Sequence, residues 1–190
     1  MTSSRRSAAL LSASESCVDA FVERGNPSLT ITELASRAEI SERTFYRYFA
    51  TKEESIRPVL DEGNRELLSS LRDQPTEHGL RPGLAAAFVH TMGESFERRT
   101  RALMPIIFGD AALKRVWQAA SFETADLIRP EIARLIDEPE SAARATVVAG
   151  QAVVAIVVAL QEVARNQTPA ATAIAHALEA SSHPHFARIK

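Results

Sequence analysis

The sequence contains little cysteine and glycine and almost no net charge. A single cysteine, Cys17, among 190 residues excludes an intrachain disulfide framework and is typical of a reducing compartment. Seven glycines and the lack of sustained apolar–polar alternation argue against a sheet-rich fold. A net charge of −2 provides no general attraction to nucleic acid, so any such binding must depend on where the charges lie.

Long apolar runs are also scarce. Residues 145–161 form the one extended uncharged run, but it is shorter than the roughly 20 residues of a typical membrane span and it contains Gln151. The apolar stretch after Arg5 and Arg6 is too short for the core of a signal peptide. We therefore predict a buried helix at 145–161, no membrane partner and a cytoplasmic location.

Motifs that would indicate an enzyme are weak. We find no glycine-rich phosphate loop, nucleophile elbow or Cys/His constellation. His90 and Glu94 would share one helix face, but two residues do not make a metal site. The sequence predicts that the protein is not an enzyme and holds no cofactor and no metal.

Helical signals run through the whole chain and predict an all-α fold. The first helix should end before Gly25, because glycine commonly follows the last turn of a helix. Thr30 to Glu33 and Thr51 to Glu54 have the pattern of capping boxes, and Ser41 can cap a helix between them. Predicted helices span about 7–24, 30–37, 41–49, 51–72, 82–99, 111–128, 141–165 and 169–180, with a short or kinked segment at Pro105.

Three short helices within the first 50 residues, the last two joined by a tight turn, form a helix-turn-helix pattern. On a helix over 41–49, Phe45 and Phe49 share the side that faces a core. Arg43 and Arg47 lie opposite, where a guanidinium can bind a guanine edge or a phosphate.

The only two tyrosines, Tyr46 and Tyr48, flank the core side of this helix, so each can pack its ring and extend its hydroxyl toward a phosphate. Thr44 also projects outward, and Lys52 lies at the start of the next helix, where backbone N–H groups favour an anion. The alternative is a solvated amphipathic helix with tyrosines used in ordinary packing. The turn before the helix and the capping box after it favour the interpretation as a DNA-binding helix.

Residues 13–56 resemble the N-terminal domain of TetR-family transcriptional regulators, over roughly a quarter of the chain. The family pattern is a helix ending F-a-x-x-G, followed by T-v-x-x-I-A-x-x-A-G-V-S-x-x-T-x-Y-x-x-F-x-x-K. The matching residues are Phe21, Gly25, Thr30, Ile31, Leu34, Ala35, Ala38, Ile40, Ser41, Thr44, Tyr46, Phe49 and Lys52.

This resemblance implies roles for seven side chains. Contacts to the DNA backbone are implied for Thr30, Tyr46, Tyr48 and Lys52, and positions at or near base edges for Arg43, Thr44 and Arg47.

Two residues depart from the family pattern. Glu39 replaces the turn glycine, so a left-handed backbone there would cost about 1 kcal/mol. Leu29 replaces a small or hydroxyl residue and removes one phosphate contact.

The long helix over 141–165 is apolar on two sides, and such a helix must be covered on both. One side can face its own domain and the other a second copy of the chain, as the resemblance also implies. The alternative is the core helix of a monomer. The predicted dimer residues are Ala143, Val147, Gly150, Val154, Val157, Gln161, Ile174 and Leu178.

Methionine and aromatic residues are concentrated between these two parts of the chain. They can simply form a core, but the resemblance implies a pocket for an apolar or amphipathic small molecule, which such adaptable side chains suit. The predicted pocket residues are Phe88, Met92, Phe96, Met104, Phe108, Trp117 and Phe122.

Together, these patterns predict a DNA-binding domain over 1–52 and a larger helical ligand-binding and dimerisation domain over 53–190. The predicted function is a homodimeric repressor that binds a palindromic operator through Ser41–Phe49 and is released by a small ligand. One alternative is a helical ligand-binding or enzymatic protein whose N-terminal bundle is structural. Another is a DNA-binding factor without ligand control.

Overall fold

The structure is a computed structural model that describes residues 2–181, apart from the side chains of residues 2–4 and 95. Over this range the chain forms helices and turns and no strand, which confirms the all-α prediction. The helices are α1 Thr2–Arg24, α2 Ile31–Arg37, α3 Glu42–Tyr48, α4 Arg57–Arg72, α5 Leu80–Met92, α6 Glu94–Gly109, α7 Ala111–Leu135, α8 Ala143–Asn166 and α9 Ala170–Ala180. Two 3-10 turns cover Glu53–Ile56 and Thr76–His78.

The chain divides into two compact units, and neither is one continuous segment. Among the described residues, the first contains 2–64 and 102–120, and the second contains 65–101 and 121–181. Helices α4, α6 and α7 each contribute residues to both units. The expected boundary at residue 52 lies instead inside the first unit.

The first three helices begin and end where local signals place them. Gly25 has a left-handed φ of 72° and donates its N–H to the Phe21 carbonyl at 2.9 Å, closing α1. Thr30 and Glu33 form the predicted capping box at the start of α2. Ser41 Oγ accepts the Thr44 N–H at 3.2 Å at the start of α3. The predicted helix-turn-helix is therefore confirmed.

Aromatic and aliphatic side chains join these short helices into one core. Phe21, Leu34, Phe45 and Ile56 are completely buried. Phe45 and Phe49 meet edge to face, with ring centroids 5.0 Å apart. Because truncating a buried phenylalanine costs about 3–5 kcal/mol, this cluster is a large part of what holds α3 in place.

A serine of α1 connects to the start of α4. Ser14 Oγ donates to the Ser55 carbonyl at 2.5 Å and accepts the Val59 N–H at 3.3 Å. These two backbone groups would bond directly in an uninterrupted α-helix, so the hydroxyl stands between them where the 3-10 turn changes into α4. Thr51 Oγ1 accepts the Glu54 N–H at 3.2 Å, as the second capping pattern predicts.

The second unit has its own core, made mainly by α5, α8 and α9 with parts of α4 and α7. Two arginines from neighbouring helices bind carbonyls at helix ends. Arg101 donates to the Val163 and Thr168 carbonyls at 2.9 and 3.1 Å at the end of α8, and Arg134 donates to the Leu71 carbonyl at 2.8 Å at the end of α4. Such bonds satisfy carbonyls that have no partner within their own helix.

Several helix boundaries differ from the prediction, and the largest differences lie in α5, α6 and α7. A single helix over 82–99 was expected, but Gly93 separates α5 from α6, and Pro105 is accommodated inside α6. Helix α7 was expected to end at Ile128 but continues through Pro130 to Leu135. An internal proline costs about 3 kcal/mol, and the burial of Ile128, Ile132 and Leu135 offsets that cost.

Candidate nucleic-acid interface

Helix α3 turns one side to the core and presents the opposite side to solvent. Phe45 is fully buried, whereas Arg43 and Arg47 are exposed and Tyr46 is 58% exposed. Edge-on contacts pack the Tyr46 ring against Phe45 and the Tyr48 ring against Phe49, with centroid distances of 6.3 and 6.0 Å. The tyrosine rings are thus restrained by the core beneath them.

Arg47 is partly ordered by its neighbours on the same helix. Its guanidinium carbon lies 5.5 Å from the centroid of the Tyr48 ring, within the range of a cation–π interaction. One Nη atom is 3.5 Å from Thr44 Oγ1, at the long limit of a hydrogen bond. Both contacts leave the guanidinium charge without a counter-ion on the exposed side of α3.

Four arginines of the helix-turn-helix region, at 24, 37, 43 and 47, differ in their ion-pair partners. Arg24 binds Glu33 at 2.8 Å, and Arg37 binds Glu23, so the charges of these two are compensated. Within residues 2–181, neither Arg43 nor Arg47 has a salt bridge to a carboxylate. Arg43 and Arg47 therefore place unneutralised positive charge on the exposed side of α3.

Thr30 is exposed but is already occupied by the cap of α2. Its hydroxyl donates to Glu33 Oε2 at 2.9 Å, and its backbone N–H donates to the same oxygen at 2.8 Å. These bonds, led by the backbone one and assisted by Arg24, hold the pKa of the Glu33 carboxyl below its usual value. Glu42 in turn accepts a hydrogen bond from Thr32 Oγ1 at 2.5 Å, which ties α3 to α2.

The turn between α2 and α3 carries the conformation that glycine usually provides. Glu39 has a φ of 54°, the Glu39 N–H donates to the Ser36 carbonyl, and the Ile40 N–H donates to the Ala35 carbonyl at 3.0 Å. This is the Schellman arrangement at a helix end, with glutamate at the left-handed position. Glu39 therefore has the left-handed backbone for which the sequence analysis predicts a cost of about 1 kcal/mol.

The side chains of Lys52 and Leu29 make contacts that the sequence did not indicate. Lys52 Nζ donates to the carbonyls of Pro27 and Leu29 at 2.8 and 3.2 Å. The side chain of Leu29 is only 6% exposed and belongs to the core. The N-P-S sequence at 26–28 is typical of a side-chain-stabilised turn and could have indicated an ordered loop.

The seven predicted pocket residues occupy three different environments. Phe88 and Met92 are buried in the second unit, and Phe96 packs against that core. Met104 and Trp117 are buried in the first unit, where Phe108 meets Trp117 edge to face at 5.2 Å. Phe122, in contrast, is 82% exposed on α7 and does not join either group.

Helix α8 is apolar on both sides, and the structure covers only one of them. Val147 and Val154 are 58% and 63% exposed, Ala143 is exposed, and Gly150, Val157 and Gln161 are partly exposed. The opposite side, with Ala152, Ile156, Ala159 and Val163, is buried.

Helix α9 differs from the prediction in one residue of the dimer set. Ile174 is 1% exposed and lies in the core of its own unit, while Leu178 packs against that core. We therefore assign Ile174 to the core, because it offers no surface to a partner.

Within the described residues, α8 is also the one helix whose length and composition would allow it to cross a bilayer. Its most apolar window is 44% buried against the rest of the chain. Core helices of soluble proteins meet the same criterion, so this feature is weak support for a membrane span.

Comparisons with known proteins agree with this geometry. Residues 16–54 match the sequence model of the bacterial regulatory proteins of the TetR family. A comparison with curated protein sequences finds no match.

Three solved structures have a similar fold. A structure from Pseudomonas aeruginosa PAO1, assigned as a transcriptional regulator, has a TM-score of 0.61 and 17% identity, and the match covers 98% of this chain and 95% of that one. One from Mesorhizobium loti MAFF303099, assigned to the TetR family, has a TM-score of 0.57, 16% identity and coverages of 95% and 96%. A TetR-family regulator from Streptomyces coelicolor has a TM-score of 0.57, 22% identity and coverages of 94% and 79%.

Two short capped helices joined by a tight turn, the second with uncompensated arginines on its exposed side, have the geometry of the helix-turn-helix class. Within that class, residues 16–54 form a TetR-family DNA-binding domain, and the chain has the fold of TetR-family transcriptional regulators. The resemblance predicted from the sequence is confirmed.

Proposed function

We propose that the protein is a homodimeric transcriptional repressor that binds a palindromic operator through α3 and is released by a small apolar or amphipathic ligand. The observation that carries this proposal is the contrast among the arginines. Arg24 and Arg37 are neutralised by glutamates, whereas Arg43 and Arg47 have no carboxylate partner among the described residues. Exposed, uncompensated guanidinium groups on a recognition helix suit guanine edges and phosphates.

In this proposal the side chains of α3 divide into two roles. Arg43, Thr44 and Arg47 read base edges in the major groove, and Tyr46 and Tyr48 bind the phosphate backbone together with Thr30. Packing of the tyrosine rings against Phe45 and Phe49 supports this division, because restrained rings hold their hydroxyl groups in a defined direction.

Dimerisation would use the uncovered side of α8. The exposed valines Val147 and Val154 lie on the same side as the small residues Ala143 and Gly150, and small residues permit close approach of two helices. An apolar strip of this kind on a surface helix is typical of an interface. A two-fold pair would present two copies of α3 to major grooves about 34–36 Å apart, which selects a palindrome.

Ligand control would act through the larger unit. Phe88, Met92 and Phe96 are grouped in one core with α8 and α9, and methionine and aromatic side chains can adapt around an apolar molecule. A ligand that bound one arrangement of the dimer more tightly would shift the population away from the DNA-binding arrangement. Phe122 has no part in this proposal.

Selection of binding sites from a random duplex pool, at near-physiological salt, tests the proposal. We expect an enriched palindrome whose half-sites are separated by one helical turn of DNA. Weak, salt-sensitive binding without an enriched motif would contradict specific recognition and would favour the alternative in which the N-terminal bundle is structural.

A further inference from the structure

The loop between α1 and α2 is short, ordered and fixed at several points. Asn26 Oδ1 accepts the Ser28 N–H at 2.9 Å, which forms a side-chain-stabilised turn. The Leu29 side chain is buried, and the next residue caps α2. The loop therefore sets the position at which α2 begins.

Lys52 reaches this loop from the other end of the helix-turn-helix. Its Nζ atom donates to the carbonyls of Pro27 and Leu29, which uses two of the three ammonium protons. The side chain is only partly exposed. A charged donor with two carbonyl partners forms stronger hydrogen bonds than a neutral one.

The backbone of Lys52 is also fixed. Its carbonyl accepts the Ser55 hydroxyl at 2.5 Å and the Ser55 N–H at 3.2 Å. Ser55 is completely buried and is itself bonded by Ser14 of α1. Lys52 is thus held at its base by the core and bonded at its tip to the loop.

We propose that Lys52 is a positioning residue for DNA recognition, acting by bracing the 27–29 loop rather than by binding a phosphate. The brace keeps Thr30 and the start of α2 at a fixed distance from α3. This inference rests on the proposed DNA-binding function, and it departs from the direct backbone contact that the family resemblance implies for Lys52. The geometry supports the brace because both carbonyl partners are already within hydrogen-bond distance in the protein alone.

Amide hydrogen exchange in the free protein tests the brace without DNA. Lys52→Met keeps most of the side-chain stem and removes the donors. We expect exchange of the Ser28 and Thr30 amides to accelerate about tenfold, with the core amides of α1 unchanged. Lys114→Met is the matched control, since it removes the same charge from an exposed lysine of the same unit, and it should leave these amides unaffected. Unchanged exchange in Lys52→Met would overturn the brace.

Operator titration across salt concentrations tests the role in recognition. With the brace lost, affinity should fall about tenfold at fixed salt, while the slope of log affinity against log salt stays close to that of wild type. A slope smaller by about 0.9 would mean that Lys52 neutralises a phosphate directly, and an unchanged affinity would mean that the loop does not matter for DNA. Either result would overturn the positioning role.

A milder variant guards against loss of folding. Lys52→Gln has the same charge as Lys52→Met, but its side-chain amide is a neutral donor that lies one bond closer to the backbone than the lysine Nζ. Its exchange rates and affinity should therefore lie between those of Lys52→Met and wild type. Equal behaviour of the two variants would contradict the brace. Failure of the wild type to select any operator is a different result, since it would refute the proposed function and leave the exchange experiment interpretable.

Discussion

The recognition segment, residues 25–55, and helix α8 are stabilised by different kinds of interaction. Between Gly25 and Ser55, polar side chains that bond particular backbone groups, as those of Thr30, Ser41 and Lys52 do, fix the chain over its aromatic core. Helix α8 is held by alanine and valine, and its two sides have nearly the same composition. Specific hydrogen bonds define one geometry, whereas interchangeable apolar surfaces allow several packing arrangements. The role of the first region can therefore be predicted from its residues, whereas that of α8 depends on what packs against it.

The largest expected effect comes from placing a charge on the uncovered side of α8. Val154→Lys should convert the proposed dimer to monomer and weaken operator binding at least about 100-fold, because a buried unpaired lysine opposes association. Sedimentation velocity and operator titration measure the two effects. Asn166→Lys, at an exposed polar position at the C-terminal end of the same helix and away from Val154 around its axis, should leave both unchanged. A Val154→Lys protein that stays dimeric would show that the interface lies elsewhere.

The next largest effect distinguishes Arg47, which has no carboxylate partner among the described residues, from Arg24, which is paired with Glu33. Arg47→Ala should weaken operator binding about 10–100-fold and relax the preference at one base position, since a bidentate arginine contributes about 1–3 kcal/mol of discrimination. Arg24→Ala removes the same side-chain type from an ion pair with Glu33 and should change affinity less than about threefold. Equal losses in the two variants would argue that net charge alone drives binding.

Much of the N-terminal unit could be predicted because its signals are local. Gly25, Thr30 and Ser41 act within a few residues of their own positions, and the structure has all three as expected. The direction of the Lys52 side chain was not predictable, since its partners lie more than 20 residues earlier in the chain.

The rest of the chain was harder to predict because burial, rather than local sequence signals, decides where its helices begin and end. Pro130 does not end α7, since the surrounding isoleucines and leucine are buried, and Gly93 divides a segment that reads as one helix. The exposure of Phe122 and the burial of Ile174 depend on how the helices pack, which helical periodicity alone does not determine.

A smaller effect concerns the strained turn of the recognition segment. Glu39→Gly should raise the free energy of unfolding by about 0.5–1 kcal/mol, because glycine adopts the left-handed conformation without a Cβ clash. Thermal or urea denaturation measures the change. Ser36→Gly, inside α2, should instead lower stability by a similar amount. Destabilisation by Glu39→Gly would mean that the Glu39 side chain contributes more than its backbone strain costs.

The smallest effect is chemical and concerns Cys17. Its thiol is completely buried, and burial raises its pKa to about 11, while a hydrogen bond with Ser55 opposes part of that rise. The thiol therefore stays protonated at neutral pH, and alkylation of the folded protein at pH 8 should be far slower than in denaturant. A rapid reaction in the folded state would show that α1 opens readily from the core.

The central claim is that two copies of α3 read two half-sites through arginines that have no carboxylate partner among the described residues. Its most direct test is the affinity for the selected palindrome relative to the same duplex with one half-site scrambled, measured for wild type and Arg47→Ala. The account predicts a loss of at least about 100-fold for wild type and a much smaller ratio for the variant. Equal binding of the two duplexes by the wild-type protein would contradict paired recognition by α3.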